Sequence, residues 1–560
     1  MDKTEKSFYL IYKGDIISAF SRNNIEKYII LNDKLAAIYV PLDFDETVLS
    51  NIREIKWWSG SDPMSSLMQI TNNIENGESI SDAAGTSYIE TNPYINISGK
   101  DILIAVIDSG VDYLHRDLID ENNTSKILYL WDQENDTKRP PEGMIFGSEF
   151  TREDINNAIR ENDATLSVDN IGTGTMACGI LVGRGNVNPE YRGIAKDADL
   201  VVVKLRGYEG VYYPGKISYT VSDFLAAIKY VLDIAKKEKK HMIINLTVGT
   251  KSGIRVEASI LEIFEDFERS GIVLVSGAGN EGNTDIHYYN NLKNIQDYVD
   301  VVIQNGENTN LDIMLRGTGP DKISLQIISP SGDVSQTIAY SPDDQIYNGR
   351  FFIEKTGYRA VNRFPWLETG AQALEINLTD IKPGVWNIRL KPEFIISGEY
   401  HLYLPNKNLI STNTRFIDPT SMGTITEFAL SRKVITIGAY NDKTNSLWIG
   451  SSKGSIRGNR INPDIIAPGV DIISTYVNGN YNTATGTGIS SSIVCGVLAL
   501  IMQYLEEESG VPKLSLFTAP LRTYLMLGAI KSEIYEFPNV SQGYGVLNLR
   551  NTFIQISRNL

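Results

Sequence analysis

The sequence predicts an α/β fold: a parallel β-sheet with helices on both faces, preceded by a small α+β unit and interrupted by an inserted β-domain. Four apolar runs that end in turns, with helical patterns between them, predict the sheet. A series of short strand patterns with no helix among them predicts the inserted domain. The chain has 560 residues, of which 42% are hydrophobic. At roughly 150 residues per domain, this length suggests about three or four domains, each able to bury a core.

The first 62 residues predict the small α+β unit. Ser7–Lys13 and Ala36–Leu42 are rich in aromatic and β-branched residues, which is typical of strands. The sequence NNIEKYIILND between them has helical spacing, and DETVLSNIREIKWW predicts a second helix and a strand. From Ser59 to about Pro93 the composition is polar and irregular, which predicts a linker.

The central sheet is predicted from runs that are apolar on both faces. These runs are DILIAVIDSG (101–110), DLVVVKLRG (199–207), MIINLTVG (242–249) and GIVLVSGAGN (271–280). Ser222–Lys240 is the clearest of the helical patterns between them. Alternation of this kind is typical of a parallel sheet whose crossover helices cover both faces.

Around Tyr288 the pattern changes, and eight strand-like segments follow at close spacing up to about Pro405. They read VDVVIQN, LDIMLRG, KISLQIISP, VSQTIAY, GRFFIEK, ALEINL, VWNIRLK and EYHLYLP. Eight short strands without a helix predict a β-sandwich or jelly roll. The α/β pattern resumes at Lys433–Asn441, so the β-domain is inserted within the larger domain.

Composition excludes several classes of function. The net charge of −16 makes nucleic acid and anionic membranes poor partners, because phosphate binding needs clustered Lys and Arg. The 2 cysteines cannot form a disulfide framework or a cysteine zinc site. The N-terminus lacks the apolar run of a signal peptide, and no stretch looks apolar enough for a membrane span. We therefore expect a soluble, acidic protein made in the cytoplasm.

Four segments, taken together and in order, resemble the subtilisin-like serine protease family. They are VIDSGVDYLHRDL, DNIGTGTMACGI, VSGAGNEG and ATGTGISSSIVCGV, which match the family's Asp, His, oxyanion-hole and Ser segments. The resemblance covers roughly residues 99–284 and 415–556 and implies a subtilisin-like fold. It places Asp108 at the acid position of the triad and Asn280 at the oxyanion-hole position.

The two other triad positions depart from the family pattern. Thr173 stands where the family has the general base His, and Gly488 stands where it has the nucleophilic Ser. A threonine hydroxyl has no accessible pKa near 7, and a glycine has no side chain with which to attack. The sequence therefore predicts a pseudoprotease with no functional catalytic residue.

No other residue is predicted to supply the missing groups. The 4 histidines are His115, His241, His287 and His401. His115 occupies a position that is usually structural in the family. Ser490, Ser491 and Ser492 follow Gly488, and we interpret them as helix filler. Cys178 and Cys495 are expected to be small buried core residues. Asp108, without an imidazole partner, is expected to be held by backbone donors, to carry a raised pKa, or to be a relic.

Three features together resemble a narrower group, the Csp subtilases of clostridial spores, and in particular its pseudoprotease member. They are a short pro-region without a signal peptide, a β insertion after the oxyanion Asn, and the Thr and Gly substitutions. The resemblance implies a spore protein that regulates germination in response to germinants such as bile acids. It would act upstream of an active Csp protease and a cortex hydrolase, so other Csp proteins or that pathway are the implied partners.

The same resemblance implies the domain organisation. We expect an uncleaved prodomain over 1–75, a subtilase domain in two parts over 76–287 and 411–560, and a jelly-roll domain over 288–410. Without Ser and His no self-cleavage can occur, so the pro-region is expected to stay attached and to occupy the substrate groove. Restoring both side chains, by Thr173→His with Gly488→Ser, is not expected to restore cleavage because the surrounding geometry has drifted.

Two other functions remain open at this point. The chain could be an active subtilase with an unorthodox triad, or a structural spore protein whose β insertion rigidifies the core. No cofactor is expected. Subtilases often hold calcium, but no Asp- and Asn-rich loop is clear enough to name ligands, so a metal stays unassigned.

Overall fold

The structure is a computed structural model that describes residues 5–90, 92, 94–253, 259–268, 271–293, 298–341, 345–366, 370–455, 460–508 and 516–559. It confirms the predicted fold class. A nine-stranded sheet forms the centre of the chain, and a small N-terminal sheet and a two-sheet insertion pack beside it. Pro93, at the end of the predicted linker, lies outside the described residues.

The central sheet is parallel except at its two ends. In spatial order its strands are Ser446–Leu447, Val434–Asn441, Ile272–Gly277, Met242–Leu246, Leu103–Asp108, Asp199–Lys204, Ile127–Asp132 and Ser148–Thr151, and Ile465–Pro468 also pairs with Val434–Asn441. All four predicted apolar runs are strands of this sheet. Leu103–Asp108 lies at its centre and is buried throughout, which is why its sequence is apolar on both faces.

Helices cover both faces of the sheet, as predicted. The helices are Ile80–Ala84, Ser87–Glu90, Arg152–Glu161, Thr173–Val182, Val221–Glu238, Thr487–Glu508, Thr518–Gly528 and Leu549–Asn559. Ile104 and Val106 face a core formed with Thr173–Val182 and Thr487–Glu508. Leu103, Ala105 and Ile107 face the opposite core, which contains Val221–Glu238. The alternation along one strand thus divides two hydrophobic cores.

Thr487–Glu508 corrects the expectation that no stretch is apolar enough to cross a membrane. Within its residues Thr487–Glu507, an 18-residue window has a mean hydropathy of 1.8, so the helix satisfies the length and composition of a membrane span. However, 94% of that window is buried inside the protein. Such burial is typical of a helix at the centre of a folded domain.

The N-terminal unit is a four-stranded antiparallel sheet with two short helices. Its strands in spatial order are Lys27–Ile30, Leu35–Pro41, Glu5–Tyr12 and Ile55–Gly60, and its helices are Ile16–Arg22 and Thr47–Asn51. The helix predicted over NNIEKYIILND is wrong: Lys27–Ile30 forms a hairpin with Leu35–Pro41. Asn32 closes the turn by accepting hydrogen bonds from the backbone of Lys34 and Leu35, both at 2.8 Å. This pairing overrides the helical spacing.

The insertion is a β-sandwich of two antiparallel sheets around one shared core. One sheet contains, in spatial order, His287–Asn291, Glu399–Tyr403, Asn310–Gly317, Ala373–Thr379, Gly357–Arg363 and Ile346–Arg350; the other contains Lys322–Ile328, Gly384–Phe394, Val299–Asn305 and Arg415–Phe416. Two predicted strands are wrong. VSQTIAY makes only isolated bridges, and GRFFIEK turns after Arg350. Phe352 is 87% exposed in that turn, so its apolar character did not report burial in a sheet.

Short strands and 3-10 helices complete the chain. The strands are Pro63–Ser66, Gln69–Ile70, Tyr208–Glu209, Ile217–Thr220, Val248–Gly249, Ile472–Tyr476 and Asn480–Thr485. The 3-10 helices are Ile74–Asn76, Arg116–Leu118, Pro189–Tyr191, Ile260–Ile263, Glu265–Glu268, Lys407–Leu409 and Glu427–Leu430. Two of these strands, Pro63–Ser66 and Gln69–Ile70, correct the predicted linker.

Candidate active site and substrate groove

Asp108 is the last residue of the central strand, and its carboxylate is completely buried. Oδ1 accepts hydrogen bonds from the Ser109 backbone N–H at 2.6 Å and from the Thr173 hydroxyl at 2.5 Å. Oδ2 accepts one from the Thr247 hydroxyl. Burial raises the pKa of Asp108 to about 6, although the hydrogen bonds from Thr173 and Thr247 act in the opposite direction. The Ser109 N–H is thus a backbone donor to Asp108, as one of the expectations for this residue had it, and its two other donors are side-chain hydroxyls.

Thr173 lies beside Asp108 because it is the first residue of the helix Thr173–Val182. The Thr173 side chain is only 2% exposed. Its hydroxyl lies 3.1 Å from the Ser109 hydroxyl, which in turn accepts a hydrogen bond from the Gly174 N–H at 3.0 Å. Thr173 is therefore the residue of this helix whose side chain donates a hydrogen bond to Asp108, and the donor group is a hydroxyl.

Gly488 lies in the first turn of the helix Thr487–Glu508, facing the chain of the N-terminal region. Its backbone N–H donates to the carbonyl oxygen of Leu67 at 2.9 Å. A Cβ on Gly488 would lie 3.0 Å from that oxygen, 3.1 Å from its carbon and 2.9 Å from Cγ of Met68. The absence of a side chain at this position lets the Leu67 peptide approach the helix closely.

Asn280 borders the same carbonyl. Its amide oxygen accepts hydrogen bonds from the backbone N–H of Thr487 at 3.0 Å and from the Thr487 hydroxyl at 2.9 Å. These contacts orient the Asn280 amide so that its oxygen faces Thr487 and its NH2 group faces away from Thr487. A Cβ on Gly486 would meet both Asn280 Nδ2, at 2.9 Å, and the Leu67 oxygen, at 2.2 Å. The Asn280 NH2 and the Leu67 carbonyl are thus neighbours at this point.

Residues 63–70, here called the groove segment, run between strands of the central domain. Pro63–Ser66 pairs antiparallel with Ile217–Thr220 on one side and with Val248–Gly249 on the other. Leu67 continues this pairing through its N–H, which donates to the Thr247 carbonyl at 2.7 Å. Met64, Leu67 and Met68 are 0%, 2% and 4% exposed. The segment therefore lies as an added β-strand in a groove.

The groove segment continues beyond Met68 along the central domain. Beyond Met68, Gln69–Ile70 pairs with Asn480–Thr485, and Thr71 N–H donates to the Thr483 carbonyl at 2.9 Å. The peptide bond from Leu67 to Met68 consequently lies at the Gly488 N–H and the Asn280 amide. The pro-region was expected to occupy the groove, but the residues that do so were assigned to a linker, although apolar residues at 64, 67, 68 and 70 in an otherwise polar stretch are a signal for them.

The model of the subtilase family matches residues 99–315 and 406–545 of the chain. The chain belongs to the subtilase family. It is similar to the structure of the CspB protease of Clostridium perfringens, with 25% sequence identity and a TM-score of 0.74, over 86% of this chain and 98% of that chain. The subtilase is also similar to curated relatives at lower coverage. It is 24% identical over 458 residues to the PII-type proteinase of Lacticaseibacillus paracasei, spanning 73% of this chain but only 23% of that protein. It is 26% identical over 185 residues to subtilisin of Bacillus sp. strain TA39, spanning 33% of this chain and 35% of that protein.

The three serines after Gly488 are buried in the subtilase core and hydrogen-bonded away from the groove. The Ser490 hydroxyl donates to the carbonyls of Ala467 and Pro468, both at 3.0 Å. The hydroxyls of Ser491 and Ser492 donate to the Gly488 carbonyl at 3.0 and 2.8 Å. Each of the three is 0% exposed. Their placement fits the interpretation of these serines as part of the helix packing.

The four histidines of the subtilase lie away from Asp108. His115 caps the 3-10 helix Arg116–Leu118, and its Nε2 lies 3.0 Å from the Asn480 carbonyl. His241 precedes the strand Met242–Leu246, so it lies at the edge of the sheet opposite to the site. His287 and His401 contact each other at 2.9 Å within the insertion. Burial lowers the pKa of His287 to about 3, so this imidazole is neutral.

Cys178 and Cys495 are both buried free thiols, which confirms the expectation that they are core residues. Burial raises the pKa of each thiol well above its ordinary value. Among the residues that the structure describes, no group of three or more His, Cys, Asp or Glu side chains could hold a metal ion.

The site thus contains two of the functions that peptide hydrolysis requires. The Gly488 N–H donates to the Leu67 oxygen, the Asn280 amide lies near that oxygen, and a buried carboxylate lies at Asp108. The Thr173 hydroxyl donates to the Asp108 carboxylate. Gly488, whose N–H donates to the Leu67 carbonyl, lies in the first turn of the helix Thr487–Glu508. The peptide placed at this position is the chain's own groove segment.

Proposed function

We propose that this subtilase is a catalytically inactive pseudoprotease that regulates bacterial spore germination, acting in germinant sensing upstream of an active Csp protease and a cortex hydrolase. The contact between the Gly488 N–H and the Leu67 carbonyl is the observation that carries the proposal. A peptide carbonyl rests in an oxyanion-hole setting, and the residue beside it has no nucleophile.

The mechanism of serine proteases supports the proposal that this subtilase is catalytically inactive. In a serine protease, His removes the proton of Ser as Ser attacks the carbonyl, and Asp orients that His. Thr173 cannot serve as the base, because its hydroxyl remains protonated at neutral pH. Loss of the nucleophile or base costs about 10⁶ in turnover, which leaves roughly 10³–10⁴ over water from the remaining site. Such a rate is negligible for a peptide bond.

Similarity supports the regulatory part. The match to the CspB protease of Clostridium perfringens extends over 98% of that chain. Within the Csp group the substitutions at Thr173 and Gly488 resemble those of the pseudoprotease member, CspC. A pseudoprotease works by contact, so we propose that it binds another Csp protein or a component of the cortex-hydrolase pathway in the spore. A small-molecule germinant such as a bile acid is the proposed signal.

Intact-mass spectrometry of the purified chain, with fluorophosphonate labelling, tests the inactivity. We expect a single full-length species that the probe does not label, while subtilisin treated in parallel is labelled. A new N-terminus at Met68 formed without added protease would overturn the proposal. So would probe attachment at any of Ser490, Ser491 and Ser492.

The double variant Thr173→His/Gly488→Ser tests how much of the catalytic geometry remains. We expect it to stay uncut, since a Cβ at position 488 would crowd the Leu67 carbonyl at 3.0–3.1 Å. Any cut made by a restored triad would fall between Leu67 and Met68, because that carbonyl faces the Gly488 N–H. The single variant Gly488→Ser, which has no base, is the matched control.

Spore experiments test the signalling role separately. A pull-down from spores should recover a Csp protease or a cortex-hydrolase component. Substitutions of exposed side chains that leave the melting temperature unchanged should include some that impair germination. If every well-folded surface variant germinates normally while deletion of the protein weakens the spore, the protein is structural and the signalling proposal fails.

A further inference from the structure

A cavity of about 140 Å3 lies where the three parts of the chain meet. The N-terminal unit contributes Glu46 and residues 60–63, the central domain contributes Tyr212 and Lys251, and the sandwich contributes most of the remaining wall. Of the groove segment, the cavity wall includes Pro63, its first residue, whereas neither Leu67 nor Gly488 lines the cavity. Its wall therefore belongs to a different site.

The charges in the cavity wall do not balance. Three cations are each bound to a carboxylate: Lys251 to Asp62 at 2.8 Å, Arg359 to Glu46 at 2.7 Å, and Arg363 to Glu375 at 3.2 Å. Asp312 is the fourth carboxylate of the wall. With every carboxyl group ionised, these four carboxylates and three cations leave one net negative charge facing a confined space, which is costly unless a cation compensates it or a carboxyl group takes up a proton.

Asp312 is the side chain that carries this excess. Its oxygens accept hydrogen bonds from the Tyr212 hydroxyl at 2.5 Å and from the Asn377 amide at 2.8 Å, and both donors are neutral. An ionised carboxylate offers about four acceptor positions, so two further donors can be accommodated. Burial raises the pKa of Asp312, and the two hydrogen bonds lower it. The charges of Asp62 and Lys251 act on Asp312 in opposite directions.

The rest of the wall offers apolar contact. Ile313, Met314, Ile376 and Leu404 line the cavity beside Asp312. Tyr403 also lines it, and the Tyr403 hydroxyl is buried without a hydrogen-bond partner among the described residues. A group that donates hydrogen bonds and carries a few carbons fits such a wall better than a bare divalent ion, which needs six or more oxygen ligands.

We infer that this cavity is a binding site for a small organic cation whose primary ammonium group hydrogen-bonds to Asp312. A cavity of about 150 Å3 accepts a molecule of the size of benzene, so the ligand has up to about six non-hydrogen atoms. Binding there stabilises the contact of the N-terminal unit with the central domain and the sandwich, because all three form the wall. The inference deepens the proposed sensing function, and its biological meaning rests on that function. Binding itself is measured on the purified chain and does not depend on it.

Isothermal titration calorimetry and thermal denaturation of the full chain at pH 8, with ethylammonium chloride as the probe, test the inference. We expect saturable binding and a melting temperature that rises with ligand concentration. Ethanol and sodium acetate, which lack the positive charge, should do neither. Asp312→Asn should weaken ethylammonium binding roughly 10- to 100-fold, the value of a charge-assisted hydrogen bond. The matched control is Asp380→Asn, at an exposed left-handed turn of the same sandwich.

Each further outcome either supports or overturns the proposed ammonium-binding site. Binding of alanine as tight as that of ethylammonium supports the site and shows that wall cations accept a carboxylate. Equal stabilisation by potassium chloride overturns the assignment to an organic ammonium, and absence of saturable binding overturns the site. If Asp312→Asn does not fold, the wild-type chain still answers: affinity for ethylammonium should fall as pH is lowered and Asp312 takes up a proton. These results are independent of the protease assays, so failure of this site leaves the proposed inactivity standing.

Discussion

Asp108 is buried with three hydrogen-bond donors, and among the residues that the structure describes no cation forms an ion pair with it. In this setting the neutral carboxyl is favoured by burial, whereas the hydroxyls of Thr173 and Thr247 favour the carboxylate. Thr173 thus has a role that differs from proton transfer: it satisfies a charge that would otherwise lack side-chain donors at this helix.

The variant Asp108→Asn tests the state of this carboxyl. The folded-state pKa of about 6 exceeds the ordinary value of 3.8, so the native chain binds more protons than the unfolded chain between these values. Stability from this group is therefore greatest below about pH 4 and falls as pH rises to about 6. Relative to Asp108→Asn, the wild type should lose roughly 2–3 kcal/mol of unfolding free energy between pH 4 and pH 7.

Urea denaturation at a series of pH values measures this difference, since the other titrating groups are common to both proteins. Asp380→Asn, an exposed acid in the sandwich, is the control and should run parallel to the wild type. Parallel curves for wild type and Asp108→Asn would show that the carboxyl has an ordinary pKa.

At the scale of elements, the strands of the groove segment are the part that the sequence pattern did not predict. Runs such as Leu103–Asp108 are readable because burial on both faces demands apolar residues at every position. Pro63–Ser66 pairs through its backbone, which any sequence can do, so its composition resembles that of a linker. The resemblance to subtilases, and not strand propensity, gave the expectation that the pro-region fills the groove.

The same reasoning explains which other predictions succeeded. Thr173, Gly488, Asp108 and Asn280 could be located because motif order fixes their place at strand ends and helix starts. The contact between Gly488 and the Leu67 carbonyl joins residues more than 400 positions apart. No local pattern encodes a contact of that kind. The partners of Asp312 are hidden for the same reason, since Tyr212 and Asn377 lie 100 and 65 positions away from it.

The variant Met64→Ala tests whether the groove segment is a structural strand of the domain. Met64 is 0% exposed and packs in the core with Val221–Glu238, so its truncation should cost about 2–5 kcal/mol of unfolding free energy. Ile74→Ala, in the same region but at a side chain 47% exposed, should cost less than about 0.5 kcal/mol.

Urea denaturation gives these values, and limited thermolysin digestion reports opening of the segment. Cleavage within residues 63–70 should accelerate in Met64→Ala and not in Ile74→Ala. Equal stability of the two variants would mean that the segment does not lie in the groove.

At the scale of the whole molecule, the N-terminal unit is bound by both of its neighbours. Its residues Tyr9, Leu35, Tyr39 and Trp57 share a core with the helix Val221–Glu238. The sandwich binds the opposite side, where Trp57 meets Trp366 with ring centroids 5.1 Å apart and Glu46 pairs with Arg359. The unit therefore has contacts with both neighbours in addition to the peptide link at its end.

Within this interface Asp223 is a central point. Its side chain is 0% exposed and forms an ion pair with Arg206. It also accepts hydrogen bonds from the hydroxyls of Tyr39, in the N-terminal unit, at 3.1 Å and Tyr208 at 3.2 Å. Because a buried charge that loses its partner is costly, the free energy of holding the N-terminal unit should be sensitive to this one residue.

A cut introduced after Glu75 tests how firmly the unit is held. A recognition site for a sequence-specific protease, inserted between Glu75 and Asn76, would lie in an exposed stretch. After cleavage we expect residues 1–75 to co-elute with the remainder in size-exclusion chromatography. In the cut Asp223→Asn variant, release should occur at a lower urea concentration, because about 3 kcal/mol of binding is lost with the buried ion pair. The control is Asp233→Asn, on the same helix with a side chain 39% exposed. The cut Asp233→Asn variant should release residues 1–75 at the same urea concentration as the cut protein without a substitution. Separation of residues 1–75 without urea would show that the covalent link, and not the interface, keeps the groove filled.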